Sequence, residues 1–297
     1  MSIAHWMDLA RARHRGASKV CAVSRAVLSR LARLEAAAGT KLGMWADVSY
    51  HSAFDRCAGV EVSRVPIEPL AGFLRHPNFM LQYCKDRTTW DFVEHKQHLL
   101  PTHRCELQPP EAARKACRFL LFDLGASLWS KGKGGSSQDW FIEAYRRQNI
   151  SFDKIFAWEP TPHTEEEIGA NVPPAVREVL HYFNVAVDPA PGAQNNPLRL
   201  LREVACADDF VVFKVDVDAI TVEATLIEQI LADNAVSGLI DELYFEDHVV
   251  DSPMVEKGWD ITLREPHNRR AKPRLLSESY RLFQLLRMRG IRAHSWV

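Results

Sequence analysis

The chain has 297 residues, 46% apolar and 25% charged, with a formal net charge of -1. That balance suits a folded core and leaves no electrostatic case for nucleic acid as the main partner. No apolar run approaches the roughly 20 residues that a bilayer span requires. The six cysteines, at 21, 57, 84, 105, 117 and 206, have neither C-x-x-C nor zinc-finger spacing and read as free thiols in a reducing compartment.

From Arg11 to Arg33 there are seven basic residues and no acidic one, and Val20, Val23, Val27, Leu31 and Leu34 recur at helical spacing. The pattern predicts a helix from Ser18 to Ala38. An arginine-rich, acid-poor start of this kind serves either as an organelle transit peptide or as a basic surface helix. No cleavage pattern accompanies it, so the expected location is cytoplasmic, with an organelle as the alternative. Prolines at 66, 69, 77, 101, 109 and 110 then cut the chain into short pieces. Residues 1–110 therefore read as a mainly helical or irregular N-terminal extension. Within it Trp45, Tyr50, His51, His76 and Tyr83 are open to two readings, an acceptor-binding lid or plain packing. Pro109-Pro110 marks a boundary, and residues 111–297 form the second unit.

There the rhythm changes. "RFLLFDL" predicts a strand, "SSQDWFIEAYRRQN" a helix with Ser136 or Ser137 as its N-cap, and "DKIFAWE" and "HYFNVAV" two further strands. "PLRLLREVA" predicts a short helix, "DFVVFKVDVD" a fourth strand, "TVEATLIEQILAD" a helix and "GLIDELYFED" a fifth strand. Strands apolar along their length and separated by helices imply an α/β, Rossmann-like, doubly wound and mostly parallel sheet covered on both faces. Ligands in such sheets bind outside the carboxyl ends of the strands.

The strand ends carry the candidate chemistry. The first ends in Asp123, Gly125, Ala126 and Ser127, small residues that let a backbone turn approach a ligand. The second ends in Glu159, a position from which a carboxylate can accept bonds from ribose hydroxyls. The fourth runs into Lys214, Asp216 and Asp218, which either share one face of the strand or leave Asp218 in the following loop. Lys214 and Asp216 are also open to a purely structural ion pair. The fifth ends in Glu246, Asp247 and His248, and histidine suits general-base work near neutrality. Asp216, Asp218 and His248 offer donors for a divalent metal, but no metal ligands are assigned.

These residues, in this order, resemble the FkbM-type family of S-adenosylmethionine-dependent methyltransferases, of the class I Rossmann-like kind. "LLFDLGAS" resembles the family's D-x-G-A strand end, "IFAWEPTP" its E-P strand end, and "FNVAVDPAPG" its third-strand segment. "FVVFKVDVDA" with "TVEATLIEQIL" is similar to its K-x-D-x-E-G strand and helix. The likeness covers roughly residues 118–250. It implies S-adenosyl-L-methionine as cofactor, with Asp123, Gly125, Ala126 and Ser127 around the methionine part, Glu159 on the ribose and Asp188 near the adenine amino group. It also implies methyl transfer to a small-molecule or sugar hydroxyl, with Asp216, Asp218 or His248 as the catalytic base.

The chain departs from the family pattern at Ser127-Leu128-Trp129, where a second glycine is usual, and at Asp218-Ala219, where the pattern ends E-G. Two other readings stay open. Asp216-x-Asp218 also looks like the D-x-D motif of metal-dependent nucleotide-sugar glycosyltransferases, and a methyltransferase fold can persist as a non-catalytic binding module. A phosphate loop of the G-x-x-x-x-G-K-[ST] kind is excluded by the spacing. That leaves "LWSKGKGG" as an extension in which Trp129 walls the site and Lys131 and Lys133 meet an anion, or as a solvated loop.

Overall fold

A computed structural model describes residues 50–55, 60–67, 96, 99, 101, 118–129, 137–249, 262 and 264–296. The predicted helix Ser18–Ala38, Trp45, His76, Tyr83, the boundary at Pro109-Pro110, and Lys131 with Lys133 lie outside these residues.

Six parallel strands form the main sheet: β3 (Phe119–Leu124), β4 (Lys154–Trp158), β5 (Leu180–Phe183), β6 (Phe210–Val215), β7 (Glu242–Phe245) and β8 (Arg292–Ser295), in the order β5-β4-β3-β6-β7-β8. Counted within the sheet this is 3-2-1-4-5-6, the doubly wound order that places a crevice where the winding reverses, between β3 and β6. Helix α1 (Ser137–Arg146) links β3 to β4, and α2 (Glu165–Gly169) and α3 (Pro174–Arg177) link β4 to β5. Helix α4 (Pro197–Val204) leads to β6, α5 (Ile220–Ala232) and α6 (Asn234–Ser237) lead to β7, and α7 (Leu276–Met288) precedes β8.

Side-chain alternation along each strand divides the core into two layers. Leu120, Phe122, Val211 and Phe213 pack with Leu226 and Ile227 of α5 and Phe283 of α7. Leu121, Ile155 and Val212 face the other way, onto Phe141 and Tyr145 of α1 and Val176 of α3. Local chemistry fixes the helix starts: Asn196 accepts from the Leu198 and Arg199 N–H groups with Pro197 in the first turn, and Thr164 with Glu167 forms a capping box.

Several expected elements differ. The fourth strand stops at Val215, which puts Asp216 just past its end and Asp218 in the loop with φ 56°. The third stops at Phe183, because Asn184 turns its amide to the Glu159 and Thr161 carbonyls. The fifth is limited to Glu242–Phe245. Inside the extension expected to be helical or irregular, β1 (Tyr50–Asp55) and β2 (Val60–Pro66) pair antiparallel. Alternating β-branched residues Val60 and Val62 are the strand signal that the reading passed over. The edge strand β8 was not expected at all.

The extension also touches the sheet unit. Leu99 joins the hydrophobic layer beneath α1, and the Pro101 carbonyl accepts from the Gln148 amide at 2.6 Å. Lys96 sits 4.5 Å from the Trp296 ring centroid. Among the described residues Cys206 is a free, exposed thiol, and no described helix is long and apolar enough to cross a membrane.

Candidate functional site

Gly125 ends β3 with φ 79°, and a Cβ built there would lie 1.6 Å from the Asp216 carbonyl oxygen. Only glycine lets the turn after β3 lie against the end of β6. The Gly125 and Ala126 N–H groups both donate to the Trp158 carbonyl at 3.0 Å, and the Ser127 N–H donates to Glu159 Oε2 at 3.0 Å. The N–H groups expected to approach a ligand are therefore turned onto β4. The Ala126 and Ser127 carbonyls accept from the Gln138 amide, and the Ser127 carbonyl accepts also from Tyr182 Oη. The turn is fixed from both sides before any ligand arrives.

Glu159 stands where β4 ends, 9% exposed. Its other oxygen accepts from the Thr161 N–H at 2.8 Å. Two backbone bonds leave lone pairs of the carboxylate for hydroxyl donors.

Lys214 is the hub beneath the crevice. Its side chain is 1% exposed, and Nζ lies 3.1 Å from Asp123 Oδ1 and 3.0 Å from Asp216 Oδ2. It also donates to the Leu124 and Gly125 carbonyls. Burial lowers the lysine pKa, but the charges of Asp123 and Asp216 outweigh it and leave the pKa raised. Asp123 accepts from Ser137 Oγ at 2.7 Å, so the hydroxyl at the start of α1 closes the same network. Asp216 accepts from Trp296 Nε1 at 3.0 Å. Burial pushes its pKa up, yet Lys214 dominates and holds it down at about 2. Both acids are thus part of the frame, and the structural ion pair foreseen for Lys214 and Asp216 is present, widened to include Asp123.

A second cluster lies past the ends of β6 and β7. The His248 side chain is 1% exposed, with Nε2 3.5 Å from Asp218 Oδ1 and 3.6 Å from Glu246 Oε2, and Nδ1 3.6 Å from Glu223 Oε2. Burial lowers the imidazole pKa, while the charge of Glu246, with Asp218 and Glu223, raises it to about 11. The surrounding carboxylates thus favour the protonated imidazole over the free base. Burial and the Asp216 charge push Glu246 well up. The Asp218 side chain is 65% exposed. Its loop is held by His267 and by Asn268 Nδ2, the latter donating to the Asp218 carbonyl at 2.7 Å. Of the three residues expected as bases, Asp218 is the most exposed.

The structure thus brings together Asp123, Gly125, Ala126, Ser127 and Glu159 at one turn, Asp123 with Lys214 and Asp216 below it, and Asp218 with His248 above. Asp188 is placed differently. It is exposed, five residues past β5, and accepts from the Ala190 N–H at 2.9 Å within its own loop. Trp129 is 6% exposed and belongs to the hydrophobic layer with Leu121 and Phe141. Sequence reasoning missed Glu223, Trp296 and Tyr182. Glu223, in the first turn of α5 directly after the acidic loop, was the readable signal, whereas Trp296 becomes meaningful only once β8 is known to pair beside β7. No protein-family model, curated protein or solved structure matches the chain.

Proposed function

We propose that the protein is an S-adenosyl-L-methionine-dependent methyltransferase acting on a hydroxyl of a small molecule or sugar. The observation that carries the reading is the joining of the Gly125 turn to Glu159 through the Ser127 N–H, at the end of β3, the strand beside which the winding of the sheet reverses. The carboxylate that would accept the ribose hydroxyls is held beside the turn that would face the methionine part, as the resemblance in "LLFDLGAS" and "IFAWEPTP" implies. Methyl transfer from a sulfonium is an in-line displacement, so the residues' main task is alignment and exclusion of water. The acceptor hydroxyl loses its proton as its oxygen attacks the methyl carbon, and exposed Asp218 is the group placed to take it.

The glycosyltransferase reading needs Asp216 and Asp218 together on one cation, and here Asp216 is committed to Lys214 and Trp296. The test is methyl transfer from labelled S-adenosylmethionine into extract fractions, compared between wild type and Asp218→Asn. Label enters an acceptor with wild type, and the rate falls by about 10²–10⁴ in the variant. Transfer of a sugar from a nucleotide sugar, with none from S-adenosylmethionine, rejects the proposal.

A further inference from the structure

The cluster around His248 holds more than an acid and base pair. Its donor atoms come from two strand-end loops: Asp218 from the loop after β6, and Glu246 and His248 from the segment after β7. One ligand atom from each of the three lies within 4.8 Å of the others. The two measured separations from Nε2, 3.5 and 3.6 Å, exceed the usual hydrogen-bond range of about 2.7–3.2 Å. They match the edge of a tetrahedron drawn around an ion with ligand bonds of about 2.1 Å, which is roughly 3.4 Å.

A second observation is independent of these distances. The other ring nitrogen faces Glu223, which is 2% exposed on α5 and anchored by the Val217 N–H donating to its Oε1 at 3.0 Å. A buried carboxylate behind the far nitrogen of a histidine is the arrangement by which proteins orient imidazole toward a metal. Thr262 Oγ1 donates to Asp218 Oδ1 at 3.1 Å, holding the exposed ligand near the same point. The site is empty.

We propose that Asp218, Glu246 and His248 bind one first-row divalent cation at the mouth of the crevice, with Glu223 positioning the imidazole. One nitrogen and two oxygens suit manganese through zinc better than magnesium, which prefers oxygen and retains its water. Three protein ligands leave positions open for water or a substrate oxygen on the solvent side of Asp218. The sequence suggested Asp216 as a ligand beside Asp218 and His248. The structure replaces it with Glu246, because Asp216 is held by Lys214.

The experiment uses the full-length chain stripped with chelator and titrated with Mn²⁺, followed by electron paramagnetic resonance and by spin-echo modulation. Loss of the free-ion signal with nitrogen modulation from a directly bound imidazole is the expected result. Glu246→Gln, His248→Ala and Glu223→Gln each weaken binding roughly 10- to 100-fold, while Glu203→Gln, on the exposed face of α4, leaves it unchanged. Lack of binding at millimolar Mn²⁺, binding without nitrogen modulation, or equal binding by folded His248→Ala overturns the proposal. Should a variant misfold, the nitrogen signal of the wild type still decides. The titration needs no S-adenosylmethionine, so its failure is separable from failure of the methyltransferase reading.

Discussion

Gly125 meets two demands at once, a positive φ and a Cβ-free approach to the Asp216 carbonyl. Alanine there must both move the end of β6 and adopt a disfavoured backbone conformation. Gly125→Ala is expected to lose about 2 kcal/mol of stability or more, measured by urea unfolding; a variant within about 0.5 kcal/mol of wild type contradicts the close approach. Both the glycine and its neighbouring acids were legible, because a strand that ends in D-x-G is a recognisable break in an apolar run. What the sequence did not disclose is the target of the approach. Gly125 packs on the chain's own backbone, and Asp123 faces Lys214 and Ser137 in the interior. One chain position cannot reveal which distant carbonyl or ammonium it meets, since Asp123 and Lys214 are paired only through the β3–β6 register. The histidine shows the same limit: its type suggested a base, and nothing in the sequence disclosed the three carboxylates around it.

At the scale of elements, the face of the sheet beneath α1 is polar toward β8. Glu242 pairs with Arg292, Nε to Oε1 at 2.8 Å, and both side chains are fully buried. Tyr145 of α1 donates to Glu242 from above, and Tyr244 Oη donates to the same oxygen at 3.1 Å. His294 stacks on Tyr244 with ring centroids 4.5 Å apart. This explains why "RGIRAHSWV" concealed a strand. Its inward positions are arginine and histidine, so no apolar alternation marks it, and it is stable only because β7 supplies the opposite charge.

Burial pushes the Glu242 carboxyl up, but the His294 imidazole, 3.9 Å away, and the charge of Arg292 outweigh burial and leave the pKa below its ordinary value. A depressed carboxyl contributes stability that is present above the unfolded pKa, about 4.3, and is lost as pH falls through the folded value. Glu242→Gln is therefore expected to cost about 3–5 kcal/mol near neutrality. The gap from wild type should narrow below about pH 4.3. Urea titrations of both proteins across that range check it, and a gap independent of pH rejects the assignment. The β1–β2 hairpin failed to be foreseen for another reason: frequent prolines and aromatics masked two short alternating runs.

For the whole molecule, the strand pattern was enough to predict a doubly wound parallel sheet, since fully apolar runs alternating with amphipathic helices have few other ways to bury both faces. The strand order was not readable from the pattern, and the order is what gives the site its place. With β3 and β6 adjacent, the winding reverses between them, and Glu159, Asp216 and His248, far apart in sequence, all follow the carboxyl ends of strands of the one parallel sheet. The Asp123–Lys214–Asp216 network is buried at the ends of β3 and β6, and Asp218 beyond it is exposed.

The central claim is that this crevice binds S-adenosyl-L-methionine through Glu159. The most direct measurement is a calorimetric titration of the cofactor into wild type and Glu159→Ala in the presence of chelator, with thermal unfolding confirming that both are folded. Saturable binding by wild type without metal, weakened at least about tenfold (about 1.4 kcal/mol) in Glu159→Ala, is the result predicted. Absence of binding by folded wild type, or equal affinity in the two proteins, contradicts the claim.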